Sequence, residues 1–202
     1  MGDPHLGVLY GKILEKYFLY ELEHRKETAF TIRKLLDTGK ITAEETLTIP
    51  SDAVVKTFTN IHELGQLYNE NPSNIFIPQS TTFCAIDGIL PQQRFFNVTI
   101  NDKHPLHMVS KNESKNAGLL QIAKSIGLPC SNSSPANTEK PIVQFYWVVP
   151  DAIYKTITKP FPIYENGKVV PNYNMDMNNE VIVQQWVLNF DINPRHLQGN
   201  EK

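Results

Sequence analysis

Asp87 is the residue that asks most of this sequence. It interrupts Phe83, Ala85 and Ile89, which recur at the period-two spacing of a half-buried strand. An ionised carboxylate in such a setting is costly unless it is paired, hydrogen-bonded or bound to a metal ion. A second strand follows a turn containing Pro91. In it Phe96, Val98 and Ile100 fall on one face and Asn97 and Thr99 on the other. If the two strands pair, Asp87 and Asn97 lie close together. Far upstream, Glu15 breaks the row Val8, Gly11, Phe18 and Leu22 in a long helical pattern, with Gly11 one turn earlier where another backbone can come close. Each carboxylate also has an ordinary explanation. Asp87 fits a turn-edge residue satisfied by backbone N–H groups, and Glu15 fits a helix-surface residue pairing with Lys12 or Arg25.

The elements that must position these residues read as mixed α and β. Asp3-Pro4 starts a helix that runs to about Arg25, with Asp as N-cap and Pro at the first helical position, and its main apolar stripe is Leu6, Leu9, Ile13, Tyr17 and Tyr20. Thr28 to Leu36 and Leu47 to Phe58 read as strands or hairpin arms, and Ile61 to Tyr68 as a short helix. The loop 69–74 precedes a strand over Ile75 to Ile77. A helix is expected from Ser114 to Ile126, ending at Gly127. The run Ile142 to Val149 is apolar on both faces, which is how an interior strand of a covered sheet reads. Ala152 to Thr156 reads as a helical turn, and Glu180 to Asp191 as an apolar segment of either type. The expectation is a single α/β (mixed α+β) domain over 1–192 with a frayed tail over 193–202.

Composition narrows the function classes. A net charge of −2 over 202 residues excludes a globally basic nucleic-acid binder, although a locally basic cleft is enough for an enzyme acting on nucleic acid. No run approaches a membrane span, and the first residues lack the apolar core of a signal peptide. Cys84 and Cys130 read as free thiols of a reducing compartment. There is no phosphate-loop motif, so no nucleotide binding is expected.

The order helix, strands, helix, central strand carries Gly11-x-x-x-Glu15, Ala85-Ile86-Asp87, Phe96-Asn97-Val98-Thr99 and Lys103-His104-Pro105. Gly118-Leu119, Phe145 to Pro150 and Gln185-Trp186-Val187-Leu188 follow in turn. In this it resembles the restriction-endonuclease-like fold, a central mixed sheet flanked by helices, and within it the C-terminal nuclease module of Crinkler and retrotransposon-hot-spot proteins. The resemblance implies a nuclease that hydrolyses phosphodiester bonds of nucleic acid with one Mg²⁺. Its ligands would be the helix Glu15, the strand Asp87 and, where a Glu or Gln is usual, Asn97 through its amide oxygen.

Thr99 stands where the family's lysine would stabilise developing negative charge, a task to which a hydroxyl is poorly suited. Lys103 or His104 is expected to reach back in its place. The ordinary alternative for His104 is a loop histidine bonded to neighbouring backbone, with His107 as its competitor. The lost lysine leaves open a catalytically degenerate module that binds nucleic acid or protein. By analogy the place of action would be the nucleus or a host cell, and the chain a stand-alone or truncated C-terminal module.

Overall fold

The structure is a computed structural model that describes residues 4–24, 28–79, 83, 85–101, 104–108, 117–128, 142–165, 168–170 and 182–192. Lys103, Cys84, Cys130 and the tail 193–202 lie outside the described residues.

The first helix, α1, spans Pro4–His24. Its buried face differs from the expected stripe. Leu14, Phe18 and Leu22 enter the core, whereas Leu9, Ile13 and Tyr20 are 55%, 46% and 54% exposed. Both rows of the helix are apolar enough to dock, and the aromatic cluster beneath selects one: the Phe18 ring packs against Phe30, Phe96 and Phe190 at centroid distances of 4.9–5.4 Å. Glu15, next to Leu14, is therefore carried to the margin of the buried face and is partly enclosed.

Strands β1 (Thr28–Lys34), β2 (Glu44–Ile49) and β3 (Val55–Phe58) follow. The expected arm from Leu47 to Phe58 is thus two strands split by a turn at Pro50 to Asp52. Helix α2 (Ile61–Glu70) starts at Asn60, whose side chain accepts the N–H groups of His62 and Glu63. Next come β4 (Ile75–Pro78), β5 (Gly88–Leu90), β6 (Arg94–Val98) and β7 (Leu106–His107). The turn between β5 and β6 is made by Gln92 and Gln93 at φ 64° and 60°.

Helix α3 (Leu119–Ser125) starts later than the expected Ser114, because Gly118 is extended and serves as its N-cap, and it ends before Gly127 at φ +77°, the left-handed stop that glycine tolerates. After it come β8 (Ile142–Val149), α4 (Asp151–Thr156), β9 (Ile163–Glu165) and β10 (Lys168–Val170). The last element is β11 (Ile182–Asn189), which settles the unassigned C-terminal segment as a strand.

Eight strands form one mixed sheet in the order β2-β1-β11-β8-β6-β5-β4-β3, and β10-β9-β7 form a small second sheet. β8 runs parallel to both β6 and β11 at the centre, as its two apolar faces require. On one side Tyr146, Val148, Phe96 and Leu188 pack beneath α1. On the other, Phe145, Trp147 and Phe95 pack with Leu64 of α2 and Leu119 and Ile122 of α3. The architecture is therefore a mixed α+β one, a large sheet flanked by helices. Among the described residues no helix is long and apolar enough to cross a membrane.

Candidate metal and phosphate site

The β5–β6 pairing puts Gly88 opposite Phe96, and one step further along the register Asp87 faces Asn97. Only glycine fits at 88, because a Cβ there would lie 2.6 Å from the Phe96 ring and 2.8 Å from the Phe76 carbonyl oxygen. That close approach seats Asp87 at the open end of the hairpin. Its backbone N–H donates to Phe96 O at 2.9 Å, and its Oδ2 accepts the Val98 N–H at 2.7 Å. The backbone explanation for Asp87 accounts for one oxygen. The other makes no hydrogen bond among the described residues. The Asn97 amide, 6% exposed, makes none either, and neither does the Glu15 carboxylate.

Helix α1 lies against the end of β6. A Cβ on Gly11 would touch Ile100 at 3.5 Å, and one turn later Glu15 faces the hairpin mouth. Glu15, Asp87 and Asn97 line one cavity of about 450 Å³, together with Gln79, His104 and His107. Burial, relieved in part by the Val98 N–H and reinforced by the negative charge of Glu15, pushes the Asp87 carboxyl up to about 7. Burial also raises Glu15, and the charges of Lys12 and Lys16 oppose it.

Burial lowers both histidines. For His104 the Pro105 carbonyl acts against that shift and His107 adds to it. His104 Nδ1 lies 3.2 Å from Pro105 O, so this nitrogen carries the proton and Nε2 is left as an acceptor. The backbone explanation for His104 thus holds for one ring nitrogen. The ring rests near Trp147, at 5.7 Å between centroids.

The sequence-derived residues divide as follows. Glu15, Asp87, Asn97 and His104 share the cavity, and Lys103 is outside the described residues. Thr99 sits just past the end of β6, where its hydroxyl accepts the Asn101 N–H at 3.0 Å and closes a local turn. It lines a second cavity of about 780 Å³, which also reaches Lys12, Asn101 and Thr156 and meets the first at Glu15, Val98 and His104. Gln79, just beyond β4, has no sequence signal that would single it out. Lys12 was legible only as a neighbour of Glu15.

The donors present suit a hard divalent cation: two carboxylates and an amide oxygen, with hydrogen-bonding capacity left open at each among the described residues. Among the described residues no three His, Cys, Asp or Glu side chains come together as a group that could hold a metal ion, so a ligand set here would need the amide oxygen of Asn97 as well. Comparison of the chain with protein-family models, with curated proteins and with solved structures finds no match. The class defined by fold and site is a mixed α+β protein with an acidic, amide-bearing cavity at the end of its central strands.

Proposed function

We propose that the protein is a metal-dependent nuclease of the Crinkler and retrotransposon-hot-spot type, hydrolysing phosphodiester bonds of nucleic acid with Mg²⁺. One observation carries this reading: Glu15, Asp87 and Asn97, from two separate parts of the chain, line one cavity, and among the described residues only one oxygen of Asp87 is hydrogen-bonded. Two enclosed carboxylates repel one another, and a divalent cation converts that repulsion into binding. When bound, the cation supplies polarisation of the phosphate and a more acidic attacking water.

The chain's own residues do the rest. Asp87 lines the cavity with one oxygen held by the Val98 N–H, leaving the other to take the cation, and the neutral His104 offers Nε2 to accept the proton of the attacking water. The oxygen of that water forms the new bond to phosphorus, the bond to the leaving sugar oxygen breaks, and the leaving oxygen takes a proton from solvent. Action in the nucleus or in a host cell follows from the same analogy.

The test is incubation of the purified protein with Mg²⁺ or Mn²⁺ and plasmid DNA or RNA. Cleavage that disappears in Asp87→Ala supports the enzyme. Intact substrate combined with no metal uptake in calorimetry refutes it. A second reading, a degenerate nuclease fold that binds without cutting, is favoured by one feature: the hydroxyl of Thr99 is committed to the Asn101 turn where the family's lysine would stand.

A further inference from the structure

The first cavity holds the acidic groups, yet among its described lining there is no lysine or arginine to meet a phosphate. A polynucleotide brought there presents one negative charge per phosphate, and affinity for such a strand comes chiefly from cations on its backbone. The second cavity supplies one. It opens on the other side of Glu15, Val98 and His104, and Lys12 is the one lysine or arginine among the described residues lining either space.

Lys12 stands one turn before Glu15 on α1 and is exposed. Its charge acts on Glu15, but it forms no ion pair among the described residues, so its ammonium is available to an anion. Asn101 and Thr156 line the same space, the Thr156 hydroxyl donating to the Ile153 carbonyl of its own helix at 3.1 Å, and Gly7 and Gly11 leave the helix surface low beside it.

Resting on the nuclease-site reading above, we infer that the second cavity is a backbone-phosphate subsite for nucleic acid. Lys12 there holds the phosphate next to the one over Glu15 and supplies the positive charge that Thr99 cannot. The strand would cross the end of β6, passing from the acidic cavity into the Lys12 cavity over the shared rim of Glu15 and His104. This assigns Lys12 a contact with substrate and leaves metal binding to the other cavity, so the two can be tested separately.

Binding of short fluorescently labelled DNA and RNA is measured by anisotropy in EDTA, across a salt series, for wild type, Lys12→Gln, Lys12→Arg and Lys103→Gln. Lys12→Gln is expected to weaken binding roughly fivefold and to lower the slope of log K against log salt by about one. Lys12→Arg is expected to stay near wild type. Because Lys12 is exposed, circular dichroism melts of the variants should coincide with wild type.

Absence of nucleic-acid binding by the wild type, equal binding and salt slope in wild type and Lys12→Gln, or loss in Lys103→Gln alone would each overturn the subsite. Lys12-dependent binding without any cleavage in Mg²⁺ or Mn²⁺ would uphold the subsite while sinking the hydrolytic reading. Cleavage that is indifferent to Lys12→Gln, with binding also unchanged, would do the reverse.

Discussion

Asp87 gives the site a measurable signature in stability. Its carboxyl titrates near 3.8 when unperturbed and near 7 in the folded protein. Between those values the folded state holds a proton that the unfolded chain has released, so this group's contribution to stability falls as pH rises through the window and returns on acidification. Asp87→Asn removes the ionisable group while keeping an oxygen for the Val98 N–H. The variant is expected to be more stable than wild type at about pH 8, by on the order of 2–4 kcal/mol, and to converge with it near about pH 4. Chemical denaturation at a series of pH values reads the difference, and a gap that widens toward acid would contradict the burial argument. The same residue is legible in sequence because a carboxylate at period two among Phe83, Ala85 and Ile89 is out of place. The sequence did not say that the backbone of the described residues would satisfy only one of its oxygens.

At the scale of elements, the site depends on how α1 docks. Phe18 is fully buried and meets Phe30, Phe96 and Phe190, while Glu15 lies less than one turn before it. Phe18→Ala leaves a cavity under the helix and is expected to cost about 3–5 kcal/mol. Because Glu15 and Lys12 travel with α1, the variant should also lose nucleic-acid affinity at temperatures where it remains folded. Thermal melts and anisotropy on the same sample check both, and a stable variant with α1 displaced in its amide-exchange pattern would separate the two effects. The helix itself was legible from its apolar spacing, with the expected N-cap Asp3 outside the described residues, but its buried face was not. Leu9, Ile13 and Tyr20 have the right period and are exposed, because periodicity identifies an amphipathic helix without saying which of two apolar rows has a complementary surface beneath it. The hairpin was readable only in part. The turn and the second arm set Asp87 opposite Asn97, one register step beyond Gly88 and Phe96, but the first strand starts at Gly88, so Phe83 and Ala85 precede it and Asp87 lies in the bend that leads into it. Ala85, Ile86, Ile89 and Leu90 are all buried, without alternation.

For the whole molecule, the parallel centre β6-β8-β11 joins segments far apart in sequence, and a buried amide ties it to the connection between α4 and β9. Gln185 on β11 accepts the Trp147 Nε1–H at 2.8 Å and the Phe161 N–H at 2.9 Å, and donates to the Phe161 carbonyl at 3.0 Å. Trp147 in turn stacks on Phe161 at 4.1 Å and borders His104. Gln185→Ala would strand three buried polar groups and is expected to lower stability by about 2–4 kcal/mol. Urea unfolding followed by tryptophan emission would report it, and a change under about 0.5 kcal/mol would show that water takes the amide's place.

The amino-acid sequence by itself determined the mixed α and β class, the covered central strand at 142–149 and the odd carboxylates Glu15 and Asp87, because period, capping and misplaced charge are local properties. Only the tertiary structure decided which face of α1 is buried, that the C-terminal segment is a strand, and that Glu15 and Asp87 share a cavity whose rim Lys12 adjoins. Those outcomes depend on packing between segments separated by many residues, and no local pattern encodes which partner surface a segment will meet.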